Sequence, residues 1–84
     1  MPYFVYILEC SDKSLYIGYT NNLEKRLHHH NHSKSGAHYT KIRRPVVLKY
    51  SEKFRTLSKA LKRECEIKKL TREEKLGLFS QLND

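Results

Sequence analysis

Two runs of β-branched and aromatic residues, YFVYILEC at positions 3–10 and LYIGYT at 15–20, constrain this chain most. Side chains of that kind pack well on a pleated surface and lose rotamer freedom in a helix. Between them stands Ser11-Asp12-Lys13-Ser14. It is a turn by composition, because Asp and Ser side chains bond to nearby backbone groups. The first twenty residues therefore read as a β-hairpin. Gly18 interrupts the returning strand. A glycine inside a strand weakens pairing and marks a bulge, or a place where another backbone or a ligand comes close.

Beyond the hairpin the period changes. Asn21 or Asn22 can cap a helix, and Glu24, three residues after Asn21, supports that start. Leu23 and Leu27 give the helix its apolar stripe, which fades near Asn31 to Ser33. Residues 33–45, SKSGAHYTKIRRP, are polar, basic and aperiodic. Loops this long in compact domains are commonly functional. Val46 to Phe54 reads as a third strand, and Thr56 or Ser58 opens a second helix carrying Leu57, Ala60, Leu61, Ile67 and Leu70. Thr71-Arg72-Glu73-Glu74 has the capping-box pattern of a third helix, with Leu76 and Phe79 to bury. The order is β-β-α-β-α-α, a small α+β fold.

Eighty-four residues allow a single domain, 1–84, around one core. The absence of a signal-peptide pattern and of any apolar run near the roughly 20 residues of a membrane span points to a cytoplasmic protein with no membrane partner. Cys10 and Cys65 belong to no metal-knuckle or disulfide spacing, so both are expected as reduced, packed thiols. Seventeen Lys and Arg against nine Asp and Glu leave a formal charge of +8. On so short a chain this points to a polyanion, with nucleic acid the first candidate.

Some side chains do not suit their places. Glu64 lies four residues after Ala60 and three before Ile67, within the apolar stripe of the second helix, whereas Glu66 points away. An inward carboxylate needs either a basic side chain or a divalent metal, because an unpaired buried charge costs several kcal/mol. On the first helix Arg26 and His30 share a face at i,i+4. His28 and His32 have the same spacing, which can chelate zinc, although no HExxH or Cys/His pattern accompanies them. Tyr3 and Tyr19 read as cross-strand packing partners.

Val5-Tyr6-Ile7, Tyr16-Ile17-Gly18, Arg26 with His30, and Ala60-Leu61-Lys62-Arg63-Glu64 occur in that order. In this the chain resembles the GIY-YIG nuclease superfamily, most closely its small stand-alone bacterial members, over about residues 3 to 75. The resemblance implies a small three-stranded antiparallel sheet flanked by helices. It also implies phosphodiester hydrolysis, with Tyr6, Tyr16, Arg26, His30 and Glu64 as the catalytic set. Gly18 then belongs to the second motif, and Glu64 holds a single Mg²⁺ or Mn²⁺ with water completing the shell. Arg26 offers its planar fork to a phosphate, and Tyr6, with Tyr16 or His30, takes the proton of the attacking water. A phenol of ordinary pKa near 10 is a poor base, so the cation is expected to lower it. Val5 stands where the first motif has Gly, and Leu76 about where many nuclease members carry Asn.

The expected partner is nucleic acid, DNA first, bound by a monomer and targeted by its own surface or by a protein partner. Lys34, Tyr39, Lys41, Arg43 and Arg44 are the candidate contacts, the tyrosine for stacking. The competing functions are a non-catalytic nucleic-acid-binding module on the same scaffold and a basic protein-interaction module.

Overall fold

The computed structural model describes residues 2–32 and 38–80. Strands β1 (Tyr3–Glu9) and β2 (Leu15–Thr20) form the hairpin, with Tyr6 opposite Gly18 and Leu8 opposite Tyr16. The turn closes through a Cys10 N–H to Ser14 carbonyl bond of 2.9 Å, and the Asp12 carboxylate accepts from the Ser14 N–H at 3.0 Å. Lys13 takes the left-handed conformation there, with φ 71°.

Helix α1 (Leu23–His32) starts at Asn22, whose Oδ1 accepts from the Lys25 N–H at 3.1 Å. The cap is thus Asn22, and Glu24 does not close a box with Asn21. A four-residue helix, α2 (His38–Lys41), stands inside the stretch expected to be loop. A single turn carries too few residues to show a period. Strand β3 (Val47–Phe54) begins one residue later than expected. The reason is local: the Asn31 side-chain amide takes both polar groups of the Val46 backbone, at 2.8 and 3.1 Å. Helix α3 (Leu57–Lys68) is capped by Thr56. Helix α4 (Arg72–Ser80) opens on the expected capping box, with Thr71 and Glu74 exchanging bonds of 2.9 and 3.2 Å.

The three antiparallel strands lie in the order β2-β1-β3, so β1 is central and its two faces sort the core. Val5 and Ile7 face α3 and pack with Ile17, Ala60 and Ile67. Tyr6 and Leu8 face α1 and pack with Cys10, Val46, Tyr16, Leu23 and Leu27. One extra residue enters β3 at Lys49, between the pairs Ile7–Tyr50 and Leu8–Leu48. That bulge turns Leu48 to the α1 face and Tyr50 to the α3 face.

Several expectations are corrected. Leu57 and Leu61 follow the helical period yet remain 39% and 38% exposed, because Ala60 and Ile67 make the contact with the sheet. Cys10 is buried, but Cys65, one residue past Glu64 and so on the outward side of α3, is exposed. Tyr3 and Tyr19 keep cross-strand neighbours as expected, Tyr3 opposite Phe54 of β3 on the α3-side core and Tyr19, 42% exposed, opposite Val5 of β1.

Candidate active site

Alternation along β1 aims Tyr6 at the face that α1 covers, and there three motif residues meet. The Tyr6 hydroxyl lies 2.9 Å from Nε2 of His30, and Nε of Arg26 donates to the same oxygen at 3.4 Å. Arg26 and His30 reach it together because they are one helical turn apart. Tyr6 and His30 are 1% and 0% exposed. Tyr16, two residues from Gly18, closes the group, its ring centroid 5.1 Å from that of His30 and 6.5 Å from that of Tyr6. The far side of the imidazole, Nδ1, lies 2.7 Å from Oγ1 of the buried Thr40.

Burial sets the protonation states. It pushes the Tyr6 hydroxyl above the ordinary tyrosine value, against the pull of the Arg26 hydrogen bond and charge. The chain's own groups thus move Tyr6 away from ionisation, opposite to the lowering expected of a bound cation. Burial, helped by the charges of Arg26, His29 and Arg44, lowers His30 to about 4. His30 is therefore neutral at pH 7, with one ring nitrogen donating and the other accepting. Arg26 is held above its usual value, first by its bond to Tyr6.

Glu64 projects from the helix on the other face of the sheet. Its side chain is 16% exposed, and it forms an ion pair with Lys68 at 3.7 Å. Among the described residues no ion pair joins it to Arg26, so the basic-partner alternative is met only by that half-exposed lysine. Its charge nevertheless acts on Tyr6, raising the hydroxyl further. The neighbouring cation takes a different path: Arg63 forks onto Glu52 of β3 at 3.0 and 3.1 Å, and Tyr50 donates to Glu52 at 2.5 Å.

Of the expected nucleic-acid contacts, the structure describes the side chains of Lys41, Arg43 and Arg44. Lys34 and the Tyr39 side chain lie outside the described residues. Lys41 is exposed. Arg43 pairs with Asp12 at 3.0 Å across the hairpin turn. Arg44 turns inward, its Nε donating to the His30 carbonyl at 2.5 Å, where it caps the end of α1. A shallow surface cleft beside Arg26 is lined by Thr20, Asn21, Asn22, Lys25 and His29. His29 also meets Arg26, Nη1 to Nδ1, at 3.4 Å. A second depression, at Pro2, Lys53, Phe54 and Arg55, contains none of the motif residues. His28 and His32 meet on the exposed side of α1, their rings tilted with centroids 4.6 Å apart. Thr40 is the site residue that sequence reasoning missed. No periodic or motif signal marks it.

Comparisons with known proteins identify the family and the fold. Residues 2–76 match the family profile described as the GIY-YIG catalytic domain. The chain belongs to the GIY-YIG family. A UPF0213 protein of Syntrophus aciditrophicus is 60% identical over 78 residues, covering 93% of this chain and 90% of the relative. A UPF0213 protein of Staphylococcus saprophyticus is 54% identical over 79 residues, covering 94% of this chain and 95% of the relative. The solution structure of the UPF0213 protein BH0048 from Bacillus halodurans matches at TM-score 0.62 and 41% identity, over 96% of this chain and 85% of that one. That of protein EF2693 from E. faecalis matches at TM-score 0.66 and 41% identity, over 99% and 88%. The α+β fold with its three-stranded antiparallel sheet is thus the fold of this GIY-YIG subgroup. Membership makes the chain one of a nuclease family whose members are generally divalent-metal dependent. Among the described residues, no helix of this GIY-YIG chain is long and apolar enough to cross a membrane.

Proposed function

We propose that the protein is a divalent-metal-dependent endonuclease that hydrolyses phosphodiester bonds in DNA, acting as a cytoplasmic monomer on branched, damaged or single-stranded substrates of the kind met in DNA repair. The observation that carries this reading is the meeting of Arg26 and His30 on one buried tyrosine oxygen.

The residues divide the work. Arg26 reaches from that oxygen to the cleft, where its remaining N–H groups bind a phosphate in planar, paired fashion. Tyr6 accepts a proton from the attacking water and passes its own to Nε2 of His30. The water oxygen bonds to phosphorus, and the bond from phosphorus to the 3′ oxygen breaks. Tyr6 thus need not be ionised beforehand, which suits a hydroxyl that burial keeps protonated. A phosphodiester beside Arg26 offsets part of the positive charge that holds His30 down, so the imidazole becomes more basic once substrate is in place. Tyr16 packs against both rings and keeps them in line.

Glu64 suits a hard cation. Among the described residues no three His, Cys, Asp or Glu side chains gather around a common point, and a cation held by Glu64 would complete its shell with water. Mg²⁺ and Mn²⁺ are commonly bound in that way. Held by Glu64, such a cation supplies charge stabilisation for the phosphoryl and leaving oxygens. Lys34, Tyr39 and Lys41 remain the proposed contacts for the rest of the strand, whereas Arg43 and Arg44 serve the chain's own structure first.

The test is a gel assay on labelled single-stranded, duplex, flap and junction DNA with Mg²⁺ or Mn²⁺. Cleavage that Arg26→Ala and Glu64→Ala both abolish supports the proposal. Retarded bands without product would leave a binding module.

A further inference from the structure

One buried contact is not used by the reaction as described. Helix α2 is a single turn, and it places Thr40, fully buried, with Oγ1 2.7 Å from Nδ1 of His30. The direction of that hydrogen bond follows from the other end of the ring. The Tyr6 hydroxyl is hydrogen-bonded to both Arg26 and His30. An arginine only donates. With Arg26 donating to that oxygen, the Tyr6 proton points to Nε2 of His30, 2.9 Å away. In a neutral imidazole with an accepting Nε2, the hydrogen sits on Nδ1. A threonine hydroxyl can accept it.

We infer that Thr40 is a positioning residue that holds the His30 proton on Nδ1 and so keeps Nε2 open to Tyr6. The catalytic consequence rests on the endonuclease reading; the tautomer itself does not. With the proton on Nε2 instead, the ring would donate to the Tyr6 oxygen, competing with Arg26 for its lone pairs. The Tyr6 proton would then lose its acceptor on His30. Tyr16 presents an edge-on ring, and Arg44 binds the main-chain carbonyl of His30. Neither meets Nδ1 in these contacts. The low pKa of His30 agrees, since the neutral ring is the resting form in which a tautomer choice matters.

The experiment is ¹⁵N-detected NMR of the His30 imidazole at neutral pH, in the wild type and in Thr40→Val and Thr40→Ser. The expected wild-type spectrum shows the hydrogen on Nδ1. Thr40→Ser retains it, whereas Thr40→Val shifts the ring toward the Nε2–H form. In the cleavage assay Thr40→Val then lowers kcat about 10–100-fold with KM unchanged, and Thr40→Ser recovers most of it. A wild-type ring protonated at Nε2 overturns the inference, and needs no variant to fold. So does a Thr40→Val ring that keeps its Nδ1 hydrogen. A wild-type protein with the Nδ1–H ring but no cleavage of any substrate would defeat the endonuclease reading and leave the role of Thr40 in place.

Discussion

The Tyr6 hydroxyl lies across Gly18 so closely that a Cβ on that glycine would stand 2.5 Å from the oxygen and 2.8 Å from the ring carbon bearing it. The glycine is required for this contact rather than for backbone freedom, since its φ is not positive. Gly18→Ala must therefore displace a buried ring that also touches Arg26 and His30. Forced repacking of this kind costs about 1–3 kcal/mol. A thermal melt should show that loss, and the His30 ring signals should move with it. An unchanged melting temperature would mean that the ring yields freely.

His30 makes stability depend on pH within a defined window. Its folded pKa is about 4, below the 6.5 of an exposed histidine, so the unfolded chain binds the extra proton first. Stability is then greatest above pH 6.5 and falls as pH drops toward 4, by roughly 3 kcal/mol for a shift of this size. Chemical denaturation at closely spaced pH values should show this slope, and His30→Gln should flatten it. An equal slope in the variant would assign the loss to other groups.

Glu64 contributes little to folding if its partner is the half-exposed Lys68. Glu64→Gln should change unfolding free energy by less than about 1 kcal/mol, as does loss of a pair whose cation stays in solvent. It should at the same time remove Mn²⁺ binding followed by calorimetry or paramagnetic relaxation. A loss of roughly 3–5 kcal/mol would instead mark Glu64 as half of a buried ion pair.

The legible parts of this chain are those where a short-range pattern and a contact coincide. The alternation of Tyr6 and Leu8 against Val5 and Ile7 sorts the two faces of the sheet, and the phase of Glu64 between Ala60 and Ile67 turns it inward. Gly18 announces a close approach, and Tyr6 makes it. What escapes is long-range. Thr40 meets a histidine ten residues away, from a helix too short for a period. Arg44 reads as a cation for DNA because nothing local shows that the end of α1 needs a donor. The fork of Arg63 on Glu52 joins a helix to a strand 11 residues earlier, and neither segment carries a sign of the other. Leu57 and Leu61 have the right period but lie at the margin of the α3 contact.

The central claim is that the Tyr6 oxygen takes the proton of the attacking water, and Tyr6→Phe tests it most directly. The single-turnover cleavage rate would be measured for the folded variant and the wild type on the best DNA substrate at saturating Mn²⁺. The account predicts a fall of about 10²–10⁴-fold with DNA affinity unchanged. A variant that cleaves at the wild-type rate would contradict it, and the buried contact of Tyr6 with His30 and Arg26 would then be packing alone.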